Sequence, residues 1–174
     1  MEEEAKKAGH ELEKGRTWEK LIRLVPGLAG YQGREKVREA DKLLRMALAD
    51  RLHRLQERVE EVKEALVEKK ELQHLGKLDL ITRKMAQARD SLSFASYGYS
   101  GAFDLVQIEG EELERMHQFD LALTEQLEGL GRAVESFSSR SLQEGVWPEI
   151  IRELERPLEE FLSRLADRSQ RPKA

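Results

Sequence analysis

The sequence predicts an all-α protein: a four- to five-helix bundle with one very long helix and coiled-coil-like packing. Three observations predict it. Apolar residues recur at helical spacing through most of the 174 residues. The composition is 39% hydrophobic, 37% charged and only 6% aromatic, a mix that suits helices with apolar stripes better than strands. Gly and Pro stand at discrete places, where they separate one helical block from the next. The length fits one domain, expected over residues 1–168, with 1–16 frayed and 169–174 a disordered tail.

The first helical block is short. Thr17 is placed to cap a turn carrying Trp18, Leu21, Ile22 and Val25, and Pro26-Gly27 end it. A Gly-rich connector runs to Gly33. The dominant helix then extends from about residue 34 to 75, uninterrupted by Gly or Pro. Its seam of Leu48, Leu52, Leu55, Val59, Val62 and Leu66 steps by four and three in alternation, which is a heptad pattern. At 1.5 Å per residue it would be roughly 60 Å long.

Gly76 is the expected break. Helix 3 follows over about 77–97, with Leu78, Ile81, Met85, Ala88, Leu92 and Ala95 on one seam. Leu80 and Phe94 lie off that seam, on a second apolar face, as in a helix between two partners. Asp104 with Gln107 fits a variant capping box for helix 4. That helix carries Leu113, Met116, Leu123, Leu127, Leu130, Val134 and Phe137. Helix 5 begins near Trp147-Pro148, since Pro is tolerated in a first turn. Its stripe is Trp147, Ile151, Leu154, Leu158, Phe161 and Leu165, and Pro157 should kink it.

Several function classes are excluded. There is no Cys, hence no disulfide scaffold, thiol nucleophile or cysteine metal site. No run approaches the ~18 apolar residues of a membrane span. A net charge of −4 makes no whole-protein case for nucleic acid. The acidic start lacks an apolar leader, so a cytoplasmic location is expected. Absent Asn and Cys, with abundant Glu, Lys and Arg, is the bias of a heat-adapted chain.

Glu-x-x-His occurs twice, at Glu71-His74 and Glu114-His117. Paired motifs of this kind build di-metal sites in bundles. Here helix order sets the two His roughly 18 Å apart along the bundle axis, too far to share an ion, so they read as surface His. His10-Glu11 lacks the second His of a zinc-protease helix, and no phosphate loop or nucleophile elbow is present. No catalytic, cofactor or metal residue is assigned.

Two carboxylates interrupt the core pattern. Asp41 sits at the edge of the helix 2 seam and Asp120 within that of helix 4. A core-facing carboxylate needs a cation or donors. The pairing register makes Arg89 the expected partner of Asp120, in a buried ion pair. Tyr97, Tyr99 and Phe103, with Gly98 and Gly101, form an aromatic loop suited to covering the bundle or docking a partner, and Tyr31 lies in a loop of similar character.

The connector from Pro26 to Gly33 before a long charged helix, and Ser96 to Asp104 before an acidic helix, resemble a family of uncharacterised bacterial helical proteins. The resemblance spans about residues 20–130 and implies no activity.

The expected function is therefore a non-enzymatic scaffold or adaptor acting through coiled-coil surfaces and the aromatic loops at Tyr31, Tyr97, Tyr99 and Phe103. The alternatives are a peripheral membrane-surface protein and a small-molecule binder with a pocket between helices. A homodimer is expected through the N-terminal half of helix 2. Antiparallel pairing around Gly76 would leave Val37, Ala40, Leu43, Leu44, Leu48 and Leu52 beyond the reach of helix 3.

Overall fold

The computed structural model describes residues 16–31, 37–94, 110–141 and 147–170. Among them are five helices and no strand. Helix α1 covers residues 16–24 and leads through a turn at Pro26-Gly27 into a 3-10 turn, Leu28–Tyr31. The others are α2 (Val37–Glu68), α3 (Leu75–Phe94), α4 (Gly110–Arg140) and α5 (Trp147–Gln170).

The helices form two antiparallel hairpins laid side by side. In the first, α3 runs back along α2: Lys63 Nζ meets Asp79 Oδ1 at 2.6 Å, and Arg45 reaches the carbonyl of Leu92. In the second, α5 returns along α4, with Arg140 bonded to Glu153 at the turn. The hairpins meet through parallel neighbours. Arg51 of α2 pairs with Glu128 of α4 at 3.1 Å, and Lys84 of α3 with Glu159 of α5 at 3.4 Å. The expected apolar seams make the shared core, where Leu52, Leu78, Met85, Leu123, Leu127, Leu154 and Phe161 are fully buried. At the hairpin end Trp147 stacks on His74 and meets Phe137 edge-on.

The long helix is shorter than expected, 32 residues, or about 48 Å. It ends at Glu68, with the chain turning at Lys70 rather than at Gly76. The N–H of Glu71 donates to Leu66 O at 2.9 Å and that of Lys70 to Val67 O at 3.0 Å, while Lys70 takes a left-handed φ of 62°. This is a Schellman ending with lysine in the place glycine usually holds. Gly76 is simply part of the first turn of α3. The earlier turn slides α3 along α2, so that it reaches Arg45 rather than stopping near residue 55.

The N-terminal block is helical and packed over its described part. Trp18, Leu21, Val25 and Leu28 step by three and four and are all buried. Gly27, at φ +90°, makes the reversal that returns the chain onto α2, a conformation side chains with Cβ resist. The 3-10 turn, α3 and α4 all pack on α2, along the row of apolar residues expected to form the homodimer; the side chain of Val37 lies outside the described residues. Ala40, Leu44, Leu48 and Leu52 are buried within one chain and Leu43 is partly buried, so these side chains do not need a second subunit to cover them. Residues 1–15 lie outside the described residues. At the other terminus α5 continues through Ser169 and Gln170, where the tail was expected to begin, and Pro157 is accommodated within this one helix.

Candidate functional site: a buried charge network at the α1 end

The end of the bundle formed by the starts of α2 and α4 and the finishes of α3 and α5 holds most of the buried charge described. Asp41, Arg45, Asp120 and Arg168 are each at most 6% exposed. Arg168 of α5 is the hinge pin. Its Nε donates to Asp120 Oδ1 at 3.0 Å and its Nη2 to Asp41 Oδ1 at 2.5 Å. Arg45 closes the other side, with Nε donating to Asp41 Oδ2 at 2.9 Å and Nη1 to the carbonyl of Leu92 at 3.0 Å. Two carboxylates and two guanidiniums thus balance, and the bonds join α2, α3, α4 and α5.

Helix α1 adds a second tier. Thr17 Oγ1 donates to Glu114 Oε1 at 2.9 Å, and Gln118 Nε2 donates to the same oxygen at 3.1 Å. The Trp18 ring lies against His117, centroids 4.7 Å apart. Thr17 is therefore not acting as the expected cap; its hydroxyl ties α1 to α4.

Burial sets the protonation behaviour. Desolvation pushes the Asp120 carboxyl up and the Asp41 carboxylate adds to this, while the Arg168 guanidinium opposes both. Burial by itself would weaken the charge on Arg168, but Asp120 and Asp41 outweigh it and hold the guanidinium firmly cationic. Burial pulls the His117 imidazole down, against Asp120 and Glu114.

The expected pairing of Asp120 with Arg89 is corrected here. Arg89 bonds its neighbour Asp90, at 2.9 Å and 3.0 Å, on the exterior of α3. Asp120 is buried and ion-paired as expected, but through Arg168. Sequence reasoning missed both arginines of the network, though a signal existed. Arg168 continues the α5 stripe of Leu154, Leu158, Phe161 and Leu165 at the same spacing, and Asp41 and Arg45 precede Leu48 and Leu52 on the core line of α2. A cation on an apolar stripe predicts a buried acid opposite it.

The two Glu-x-x-His segments lie at opposite ends of the bundle. His74 packs on Trp147 at the hairpin end and His117 on Trp18 at the α1 end. Among the described residues no group of three His, Asp or Glu could hold a metal ion, and no helix is long and apolar enough to cross a membrane. Of the expected docking aromatics, Tyr31 ends the 3-10 turn, with its side chain outside what is described. Tyr97, Tyr99 and Phe103 lie outside the described residues.

The arrangement is suited to clamping helices together. Each aspartate accepts a hydrogen bond from a guanidinium. In comparisons with protein-family models, curated proteins and solved structures, the chain matches none.

Proposed function

We propose that this chain is a non-enzymatic interaction protein, a scaffold or adaptor that docks a protein partner through the outer face and C-terminal end of α3. The observation that carries this reading is Phe94, which is 78% exposed in the last described turn of the helix. Leu80, on the same outer face nearly four turns earlier, is 48% exposed. The inner face of α3, from Leu78 to Leu92, is buried in the bundle. The outer face thus presents large apolar side chains to water, and exposed aromatics of this kind anchor protein interfaces. Tyr97, Tyr99 and Phe103 follow Phe94 directly in the chain and extend the aromatic supply. The neutralised network at the α1 end supports the non-enzymatic side of the reading, because its carboxylates are held by arginines rather than presented to a substrate.

The test is affinity capture with immobilised wild-type protein beside a Phe94→Ser/Leu80→Ser variant. Both substitutions are on exposed positions, so the helical signal and unfolding midpoint should be unchanged. A partner retained by the wild type and lost by the variant is the expected result. Equal retention by both would remove this face as the docking site.

A further inference from the structure

Three cations without an acid partner among the described residues gather in one cleft. Several arginines and lysines elsewhere are matched with acids: Arg54 with Asp50, Arg58 with Glu61, Lys63 with Glu60 and Asp79, Arg156 with Glu160. On helix α1 the cations are instead grouped. Its Arg16, Lys20 and Arg23 line a cleft of about 540 Å³ together with Thr17, Glu19 and Gln118 of α4. The three cations are exposed, and none makes an ion pair or hydrogen bond with any described residue. Their spacing of four and three places them on one stripe of the helix, where like charges repel and weaken it. Glu19 is the single acid on the rim.

We infer that this cleft binds a small phosphate-bearing anion. The geometry fits that chemistry in three ways. The cleft is concave and lies in the size range of small-ligand sites. Two guanidiniums offer fork-shaped donors that match phosphate oxygens, and the lysine adds a point charge. Gln118 supplies a neutral donor on the opposite wall: its amide nitrogen carries two N–H groups, one of which goes to Glu114. Glu114, behind this wall, also accepts from Thr17, so its carboxylate is engaged by hydrogen bonds, and Glu19 is left as the one acid lining the cleft. A bound anion would relieve the repulsion along α1 and stiffen the helix that closes this end of the bundle. The site lies on α1 and α4, and its occupation is independent of docking on α3.

The experiment is calorimetric titration of the full chain with inorganic pyrophosphate and, separately, adenosine monophosphate, at fixed ionic strength. Saturable binding of one or both, with Kd below about 1 mM, is the expected result; pyrophosphate alone assigns a free polyphosphate, and the nucleotide an ester. Three proteins accompany the wild type. The Arg16→Gln/Lys20→Gln/Arg23→Gln variant should lose at least roughly tenfold in affinity, since charge-assisted contacts are the stronger kind. A Lys69→Gln/Lys77→Gln/Arg83→Gln variant removes the same charge from exposed sites elsewhere and should bind as the wild type does. Glu19→Gln, which deletes the one repelling acid, should bind about two- to threefold more tightly. No saturable binding of either anion, or equal loss in the two triple variants, would overturn the assignment.

Discussion

Replacing Arg168 by methionine isolates the role of the buried network. Methionine keeps much of the arginine's length and apolar volume but removes the cation that, among the described residues, bonds both Asp41 and Asp120. Asp41 would still hold Arg45. Asp120, 3% exposed, would lose the one guanidinium that bonds it among the described residues. Removing one member of a buried ion pair costs ~3–5 kcal/mol, because the remaining charge is left desolvated and unmatched. Against a domain stability of about 5–15 kcal/mol, that is a large fraction. For a chain of this size each kcal/mol moves Tm by roughly 2–4 °C, so Arg168→Met should melt roughly 6–20 °C lower. Thermal unfolding followed by circular dichroism reads this directly. Adding Asp120→Asn to the variant removes the stranded charge and should recover part of the loss. Arg89→Ala, whose partner Asp90 is on the surface, should shift stability by no more than about 1 kcal/mol. A loss below about 1 kcal/mol for Arg168→Met, or no recovery with Asp120→Asn, would refute the assignment of Arg168 as the clamp.

Two further outcomes follow from the same geometry. Burial holds His117 below its ordinary 6.5, so the fold favours the neutral ring: the stability it contributes is present above about pH 6.5 and is lost as the pH falls from there toward the lower folded value. Urea midpoints between about pH 7.5 and about pH 5.5 should therefore decline less steeply in His117→Gln than in the wild type, and identical slopes would count against the buried neutral imidazole. Backbone positions give gains instead of losses. A Cβ at Gly131 would meet Arg51 and Leu55 at ordinary contact distances of 3.7 and 3.8 Å, so Gly131→Ala should stabilise α4 by about 0.5–1 kcal/mol. Lys70→Gly, at a left-handed φ, should stabilise the α2–α3 turn by about 1 kcal/mol; a drop in either urea midpoint would contradict the local geometry.

Much of the fold was legible because its signals are periodic and local. The stripe Leu78, Ile81, Met85, Ala88, Leu92 is buried in full, as are Trp147, Ile151, Leu154, Leu158 and Phe161. The turn after α2 was not legible, because its left-handed residue is a lysine, and the nearest glycine drew the boundary six residues late. In a hairpin that error doubles: the partner of a given α3 residue moves by roughly ten positions, or about 15 Å along α2. The false register then produced both the unpaired leucines behind the dimer and the choice of Arg89. Asp120 was legible as an acid in an apolar seam. Its partner was not, because Arg168 lies 48 residues away on a helix whose registry against α4 no local pattern specifies. The cations of α1 were visible as letters, but only the packing of α1 on α4 turns them into one wall of a cleft.

The central claim, docking through the outer end of α3, is tested most directly by placing a photo-crosslinking residue at position 94 and irradiating living cells. The control carries the same residue at Glu64, an exposed position on α2. The account predicts one dominant adduct with another protein from position 94, absent from position 64 and abolished by adding Leu80→Ser. No adduct at position 94, or the same adducts from both positions, would contradict it.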